Sequence, residues 1–196
     1  IERFGDDLKK PPGFHIELLQ EPKVRCWFHD ASDKRLIQVQ ADRFVHNWRK
    51  HVVPEPYPHY ENIRPIFERE WARFCTFVAT HALGTPVVTQ CEVTYVNHID
   101  QGKGWNSLAD VGKVVNFWGD GTRSFLPAPE AVLAKCAFQM PEQDGRLHVD
   151  LQHAIRNVDL QEILQLTLTA RGRPQGGTSA DIVAWMDRAR GWVVQG

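Results

Sequence analysis

The chain has 196 residues, of which 42% are hydrophobic and 24% are charged, and its formal net charge at pH 7 is −1. This composition is typical of a globular protein with a sizeable core and excludes wholesale disorder. The charge balance gives no general basic surplus for binding nucleic-acid phosphates, and no apolar run approaches the roughly 18 residues of a membrane-spanning helix.

The first part of the chain predicts an arm followed by short strands. Residues 1–13 are polar and end in Pro-Pro-Gly, which is typical of an arm or linker. Alternating apolar residues, separated by Asp-containing turns, then predict four consecutive antiparallel strands. Their ranges are 14–20, 23–29, 35–40 and 43–48.

A long amphipathic helix is predicted for residues 58–83, where apolar side chains recur at three- and four-residue steps. Trp71 and Phe74 belong to this apolar stripe, so we expect both to be buried. Pro65 lies inside the pattern, so the helix begins close to it or kinks in its first turn. Gly84 follows the last periodic residue and is expected to end the helix.

The second part predicts further strands and a final helix. The strand ranges are 87–99, 131–140, 146–153 and 163–171. Leucines alternate with Gln and Thr in the last of these, so one sheet face is expected to contact water. Residues 107–118 have helical spacing that Gly112 weakens. Thr178 and Asp181 form a capping-box pattern at the start of the last helix. The apolar stripe of that helix contains Ile182, Trp185, Met186, Ala189 and Trp192.

These elements predict an α+β fold with antiparallel sheet in the order ββββα–β(α)βββα. We expect residues 14–196 to form a single domain, with 14–85 and 86–196 as its halves. An internal duplication is one hypothesis, although no convincing residue-level repeat accompanies it. It would give one continuous curved sheet with both long helices on one face. Two sheets, each with its own helix, are the alternative.

The four cysteines and nine histidines form no recognisable catalytic or metal motif. The cysteines are widely spaced, so we expect reduced core thiols and a reducing compartment, the cytoplasm. The histidines are scattered without a zinc motif. Cys91 and His98 fall on opposite faces of their strand, which disfavours a Cys–His nucleophile. The glycine-rich segments match no phosphate-binding pattern, so neither a metal nor a cofactor is predicted.

Polar residues stand within β-type sequence in two segments, residues 36–49 and 90–99. In such positions they form an ordinary solvent face, a network that fixes strand register, or a polar floor that receives a ligand or partner. We expect the strands of both segments to lie in one antiparallel sheet and to share one connected patch. The candidate binding residues are Gln38, Gln40, Arg43, Asn47, Arg49, Glu92, Tyr95, Asn97 and His98.

The same segments resemble the signature segments of an uncharacterised, sporadically distributed bacterial protein family. Residues 36–49 carry its L-I-Q-x-Q-x-D-R-F-x-x-N-W-R stretch, and residues 91–99 carry a C-E-x-T-Y-x-N-H-I-like strand. The likeness covers roughly residues 14–100 well and the remainder loosely. It implies a soluble bacterial protein of this fold, with further segments beyond both ends, but the family has no activity to carry over.

The function favoured by the sequence is a non-enzymatic protein-interaction module of a bacterial cytoplasmic system, with a toxin, nuclease or defence component as one fitting partner. The wet sheet face and the seven tryptophans favour it, and no reaction motif opposes it. A small-molecule-binding protein, with a cavity between a curved sheet and the helices, is the alternative. An enzyme using Glu92, His98 or the Arg43–Arg49 pair is disfavoured, and nucleic-acid binding is not predicted.

Overall fold

The structure, a computed structural model, describes residues 24–50, 56–117, 126–141 and 144–195. The predicted arm and the first predicted strand therefore lie outside the described residues. The strands are β1 (Cys26–His29), β2 (Arg35–Gln40), β3 (Arg43–Trp48), β4 (Cys91–Asp100), β5 (Leu133–Gln139), β6 (Arg146–Arg156) and β7 (Gln161–Gly172). The helices are α1 (Tyr60–Thr80), α2 (Val111–Val114) and α3 (Ser179–Gln195), with a 3-10 turn at Leu108–Asp110 before α2. These elements confirm the α+β class and, in the second half, the predicted order.

The strands form two antiparallel sheets, ordered β1-β2-β3 and β4-β7-β6-β5. The prediction that all the polar strands share one sheet is wrong, because β2 and β3 lie in the first sheet and β4 lies in the second. The two sheets form differently, because β2 and β3 pair with neighbours in sequence, whereas β4 pairs with a strand that is distant in sequence. A two-residue turn joins β2 to β3, whereas β4 pairs along all ten of its residues with β7. The alternative of two sheets is the observed arrangement.

The chain divides into two compact units, with the boundary after Trp71. The first contains the three-stranded sheet and the start of α1, and the second contains the rest of α1, the four-stranded sheet and α3. The prediction of one domain over residues 14–196, with halves at 14–85 and 86–196, stays a prediction.

In the first unit, one face of the three-stranded sheet contacts α1. Phe44 of β3 packs edge-on against Trp71, with ring centroids 5.5 Å apart, and also approaches Phe67 at 6.2 Å. Trp71 is buried, as the helical stripe predicted, whereas Phe74 is only half-buried. His46 shares the face of Phe44, and its burial lowers the pKa of the imidazole.

Helix α1 begins and ends at different residues from those that the sequence suggested. The carbonyl of His59 already accepts hydrogen bonds from the N–H groups of Asn62 and Ile63, so the helix begins at Tyr60 and Pro65 lies within it. At the other end, the Leu83 N–H donates to the Val78 carbonyl at 3.0 Å, and Ala82 has a positive φ of 52°. This is a Schellman motif with Ala82 at the left-handed position, so Gly84 is not the capping residue.

In the second unit, α3 contacts β4 and β7 on the apolar face of the four-stranded sheet. The start of α3 is the predicted capping box. The Asp181 N–H donates to Thr178 Oγ1 at 3.2 Å, and the Thr178 N–H donates to the Asp181 carboxylate at 3.0 Å. Trp185 of α3 is fully buried, and its indole N–H donates to the Asp144 carbonyl at 2.9 Å. This helix therefore fixes both the sheet and the turn before β6.

A second apolar cluster fills the other end of this unit, around the segment whose helical character was ambiguous. Trp105, almost fully buried, donates its indole N–H to the Ile99 carbonyl at 3.1 Å. The Asp110 carboxylate accepts the N–H groups of Asn106 and Ser107, which starts the 3-10 turn. The cluster consists of Trp105, Leu108, Val111, Val115, Val132, Leu151 and Leu164.

Candidate interaction surfaces

The structure divides the nine predicted binding residues between the two units. Five of them lie on or directly after β2 and β3, and the other four lie on β4. The first group is Gln38, Gln40, Arg43, Asn47 and Arg49, and the second is Glu92, Tyr95, Asn97 and His98. Each group is therefore a surface of its own sheet.

The four members of the first group that lie on β2 and β3 share a single face of the three-stranded sheet. Strand register places Gln40 opposite Arg43, and it places Asn47 opposite Leu36. Because Phe44 alternates with these residues and packs on α1, they point away from the helix. We call this surface the outer face. It comprises Trp27, His29, Leu36, Gln38, Gln40, Arg43, Val45 and Asn47.

An exposed tryptophan that the sequence reasoning did not single out belongs to the outer face. Trp27 of β1 lies opposite Gln38 and keeps 55% of its surface exposed. Its ring centroid is 6.2 Å from that of His29, two residues along the strand. The sequence signal that could have identified Trp27 is its alternation with Cys26 and Phe28, which places it on the other face of β1.

Arg49 of the first group closes the β1–β2 turn. Its Nε donates to the Asp33 carbonyl at 3.1 Å, and its guanidinium forms an ion pair with the Asp33 carboxylate. His29 Nδ1 lies 2.5 Å from the same carboxylate. Hydrogen bonds from His29 and Arg49 lower the pKa of Asp33. Because Arg49 holds this turn, a structural role accounts for its position.

The second group includes two residues of the polar face of the four-stranded sheet, as strand alternation predicted. Glu92 accepts a hydrogen bond from Arg171 Nε at 2.8 Å and another from Thr94 Oγ1 at 3.2 Å. The hydroxyls of Thr94 and Thr169 lie 3.1 Å apart across the strands. His98 lies on this face opposite Gln165 and is exposed. Glu92 is therefore part of a network that pairs β4 with β7 and fixes their register.

Tyr95 and Asn97 lie on the opposite face of β4, where the side chains of Cys91 and Val93 are buried. The regular pairing of β4 with β7 shows that Cys91 and His98 point to opposite faces, as predicted. Burial raises the pKa of the Cys91 thiol from 9.0 to about 11. Cys91 is therefore a protonated core residue at neutral pH.

No family model, no curated protein and no solved structure matches the chain.

The described residues contain no group of three or more His, Cys, Asp or Glu side chains that could hold a metal ion. All four cysteines are free thiols, and Cys26 is exposed. In the described part of the chain, no helix is long and apolar enough to cross a membrane.

Proposed function

We propose that this chain is a non-enzymatic protein-interaction module of a bacterial cytoplasmic system, and that it binds its partner through the outer face. The observation that carries the proposal is the exposure of Trp27 beside Gln38 on a face that also holds Arg43 and Asn47. Trp and Arg are the side chains that most often dominate binding energy at protein interfaces, where they anchor in well-packed pockets of the partner.

The amides of the outer face support recognition of a protein rather than of a nucleic acid. Gln38, Gln40 and Asn47 are half-buried on strands, so their donors and acceptors have restricted positions. Among the residues that β2 and β3 contribute to this face, Arg43 is the only Lys or Arg, whereas a phosphate-binding surface normally clusters several basic side chains. One aromatic anchor, several amides and one guanidinium suit a mixed protein surface.

The cellular part of the proposal rests on the thiols and on the sequence resemblance. Four free cysteines fit a reducing compartment, where thiols persist. The resemblance of residues 36–49 and 91–99 to a bacterial family supports a bacterial source, and a toxin, nuclease or defence component is one fitting partner. A small-molecule-binding protein, with a cavity between a curved sheet and the helices, stays the alternative proposal.

The proposal is tested by purifying the tagged chain from its host and measuring bound protein by native mass spectrometry. We expect a stoichiometric partner on the parent chain and its loss in Trp27→Ala, Arg43→Ala and Asn47→Ala. The matched control is Phe28→Ala. Phe28 is 58% exposed on the same strand but on the opposite face, so its variant should keep the partner.

Folding of the variants is measured in parallel by thermal denaturation. Arg43→Ala and Asn47→Ala should stay within about 1 kcal/mol of the parent, as surface substitutions usually do. If both unfold readily, the outer face is a structural network and the proposal is dropped. If Trp27→Ala is folded and still carries the partner, the binding surface lies elsewhere on the chain.

A further inference from the structure

The loop between β6 and β7 presents two large apolar side chains to solvent. Val158 is 73% exposed and Leu160 is 77% exposed, and four residues separate the strands at this point. Neither residue belongs to the apolar clusters of the second unit. Burial therefore does not explain why these positions of the loop are apolar.

The backbone conformation at position 160 makes leucine an unusual residue there. Its φ is 56°, in the left-handed region that glycine and asparagine adopt readily and that a branched side chain adopts at a cost. Glycine or asparagine would suit the hairpin better. A leucine here lowers stability while its side chain remains in water. Such a conflict between local preference and sequence is typical of a residue retained for binding.

The loop is held in one shape by a network of charged side chains. Arg156 donates from Nε and Nη2 to the Asp159 carboxylate at 2.9 and 2.6 Å, and from Nη1 to Asp100 Oδ1 at 2.7 Å. The Leu160 N–H donates to the Arg156 carbonyl at 2.8 Å and closes the hairpin. The two apolar side chains are thus presented in a fixed arrangement, which reduces the entropy lost on binding.

The charged side chains around the loop indicate which class of partner surface the loop could bind. Asp100, Asp159 and Glu162 are partly exposed, and Arg156 is the cation that bridges two of them. This acidic surround would be repelled by an anionic lipid surface and by a nucleic-acid backbone. It is complementary to Lys or Arg side chains around an apolar recess of a protein.

We infer that the β6–β7 loop is a second docking element, which inserts Val158 and Leu160 into an apolar recess of a protein partner rimmed by Lys or Arg. This inference does not depend on the outer face, because it concerns a different sheet and a different partner chemistry.

The test places photoreactive p-benzoylphenylalanine at position 158 of the full chain in host cells. The same group at position 87, where Val87 is also highly exposed, is the control. We expect an adduct with one protein from position 158 alone, and peptide mapping should place it among apolar residues flanked by Lys or Arg. Adding Leu160→Asn should reduce its yield about tenfold or more, because the variant loses the burial of a leucine side chain.

Thermal unfolding of the Leu160→Asn chain separates binding from folding. We expect its midpoint to equal or exceed that of the parent, because asparagine tolerates the positive φ. A lower midpoint would show that Leu160 supports the fold, and undiminished cross-linking would show that it does not contact the partner; either result overturns the inference. So would an adduct shared with position 87, or co-sedimentation of the parent with phosphatidylcholine–phosphatidylglycerol vesicles.

Discussion

The two sheets of this protein differ in how completely their residues are buried. In the four-stranded sheet, Leu151, Leu164 and Ala170 are fully inaccessible, and α3 packs on β4 and β7. In β1, β2 and β3, all of which the structure describes, every residue keeps at least intermediate exposure. Among the residues that the structure describes, hydrophobic burial, the main favourable term in folding, is therefore concentrated in the second unit.

This difference in burial indicates which sheet contributes most to stability and which sheet is suited to binding a partner. Regions with few buried apolar contacts open at lower free energy, and binding surfaces are commonly drawn from them. The outer face, with Trp27 and its amides, belongs to the less buried sheet. The polar face of the four-stranded sheet instead uses Glu92 and Thr94 in bonds between strands. The same class of residue thus fixes strand register in the four-stranded sheet and, in our proposal, binds a partner in the three-stranded sheet.

Among the substitutions that test this difference between the sheets, replacement of Trp185 should change the free energy of unfolding most. This side chain is 0% exposed, and Trp185→Ala should lower the free energy of unfolding by about 3–5 kcal/mol, because it creates a cavity and removes the bond to the Asp144 carbonyl. Denaturant titration measures the change. Trp192→Ala is the control: Trp192 lies on the same helix at 37% exposure and should cost about 1 kcal/mol or less. Equal losses would show that α3 does not pack on the core through Trp185 as described.

The two sheets can be compared directly by measuring how fast one cysteine of each reacts, because Cys26 lies exposed in β1 and Cys91 lies buried in β4. Thiolates are the reactive species. The rise of the Cys91 pKa from 9.0 to about 11 reduces its thiolate fraction at pH 8. That reduction alone is about 100-fold, since each pKa unit is a factor of ten. In the folded protein, iodoacetamide should therefore modify Cys26 far faster than Cys91, as measured by peptide mass spectrometry over time.

Unfolding the protein in urea provides the control for cysteine reactivity, since both thiols should then react at similar rates. Modification of Cys91 as fast as that of Cys26 in the folded state would contradict the closed core of the second unit.

Strand alternation and helix capping, both local properties, were predictable from the sequence. The opposite faces of Cys91 and His98 and the Thr178–Asp181 capping box follow from spacing alone, and both are observed. The partner of β4 was not predictable in this way. Its pairing with β7 joins residues 91–100 to residues 163–172, and single-sequence patterns carry no information about such distant pairs.

The candidate site was predictable only in part. Polar content identified Gln38, Gln40, Arg43 and Asn47, which do share a face. It missed Trp27, because an aromatic residue in a strand is expected in a core, although alternation with Cys26 and Phe28 already places Trp27 on the other face of β1. The stripe of α3 failed similarly at its end: Trp192 is partly exposed, whereas Val183 and Val193 are buried. Helical spacing gives the centre of a buried face better than its edges.

The smallest expected effect lies at the end of α1, the helix that begins in the first unit and ends in the second. Ala82 occupies the left-handed position of the Schellman motif with a φ of 52°. Glycine adopts this conformation without a steric penalty, although it loses more entropy on folding. Ala82→Gly should therefore raise the free energy of unfolding by up to about 1 kcal/mol.

Urea denaturation of Ala82→Gly, beside Ala79→Gly as the matched control, tests this assignment. Ala79 lies within the helix, where glycine is about 1 kcal/mol less favourable than alanine, so the control variant should be destabilised. Opposite changes in the free energy of unfolding at two positions three residues apart would establish that Ala82 is the left-handed residue that terminates the helix. They would also show that the conformation of Ala82, rather than glycine content, determines the effect on stability. Destabilisation by both substitutions would instead move the helix end toward Gly84, where the sequence pattern first placed it.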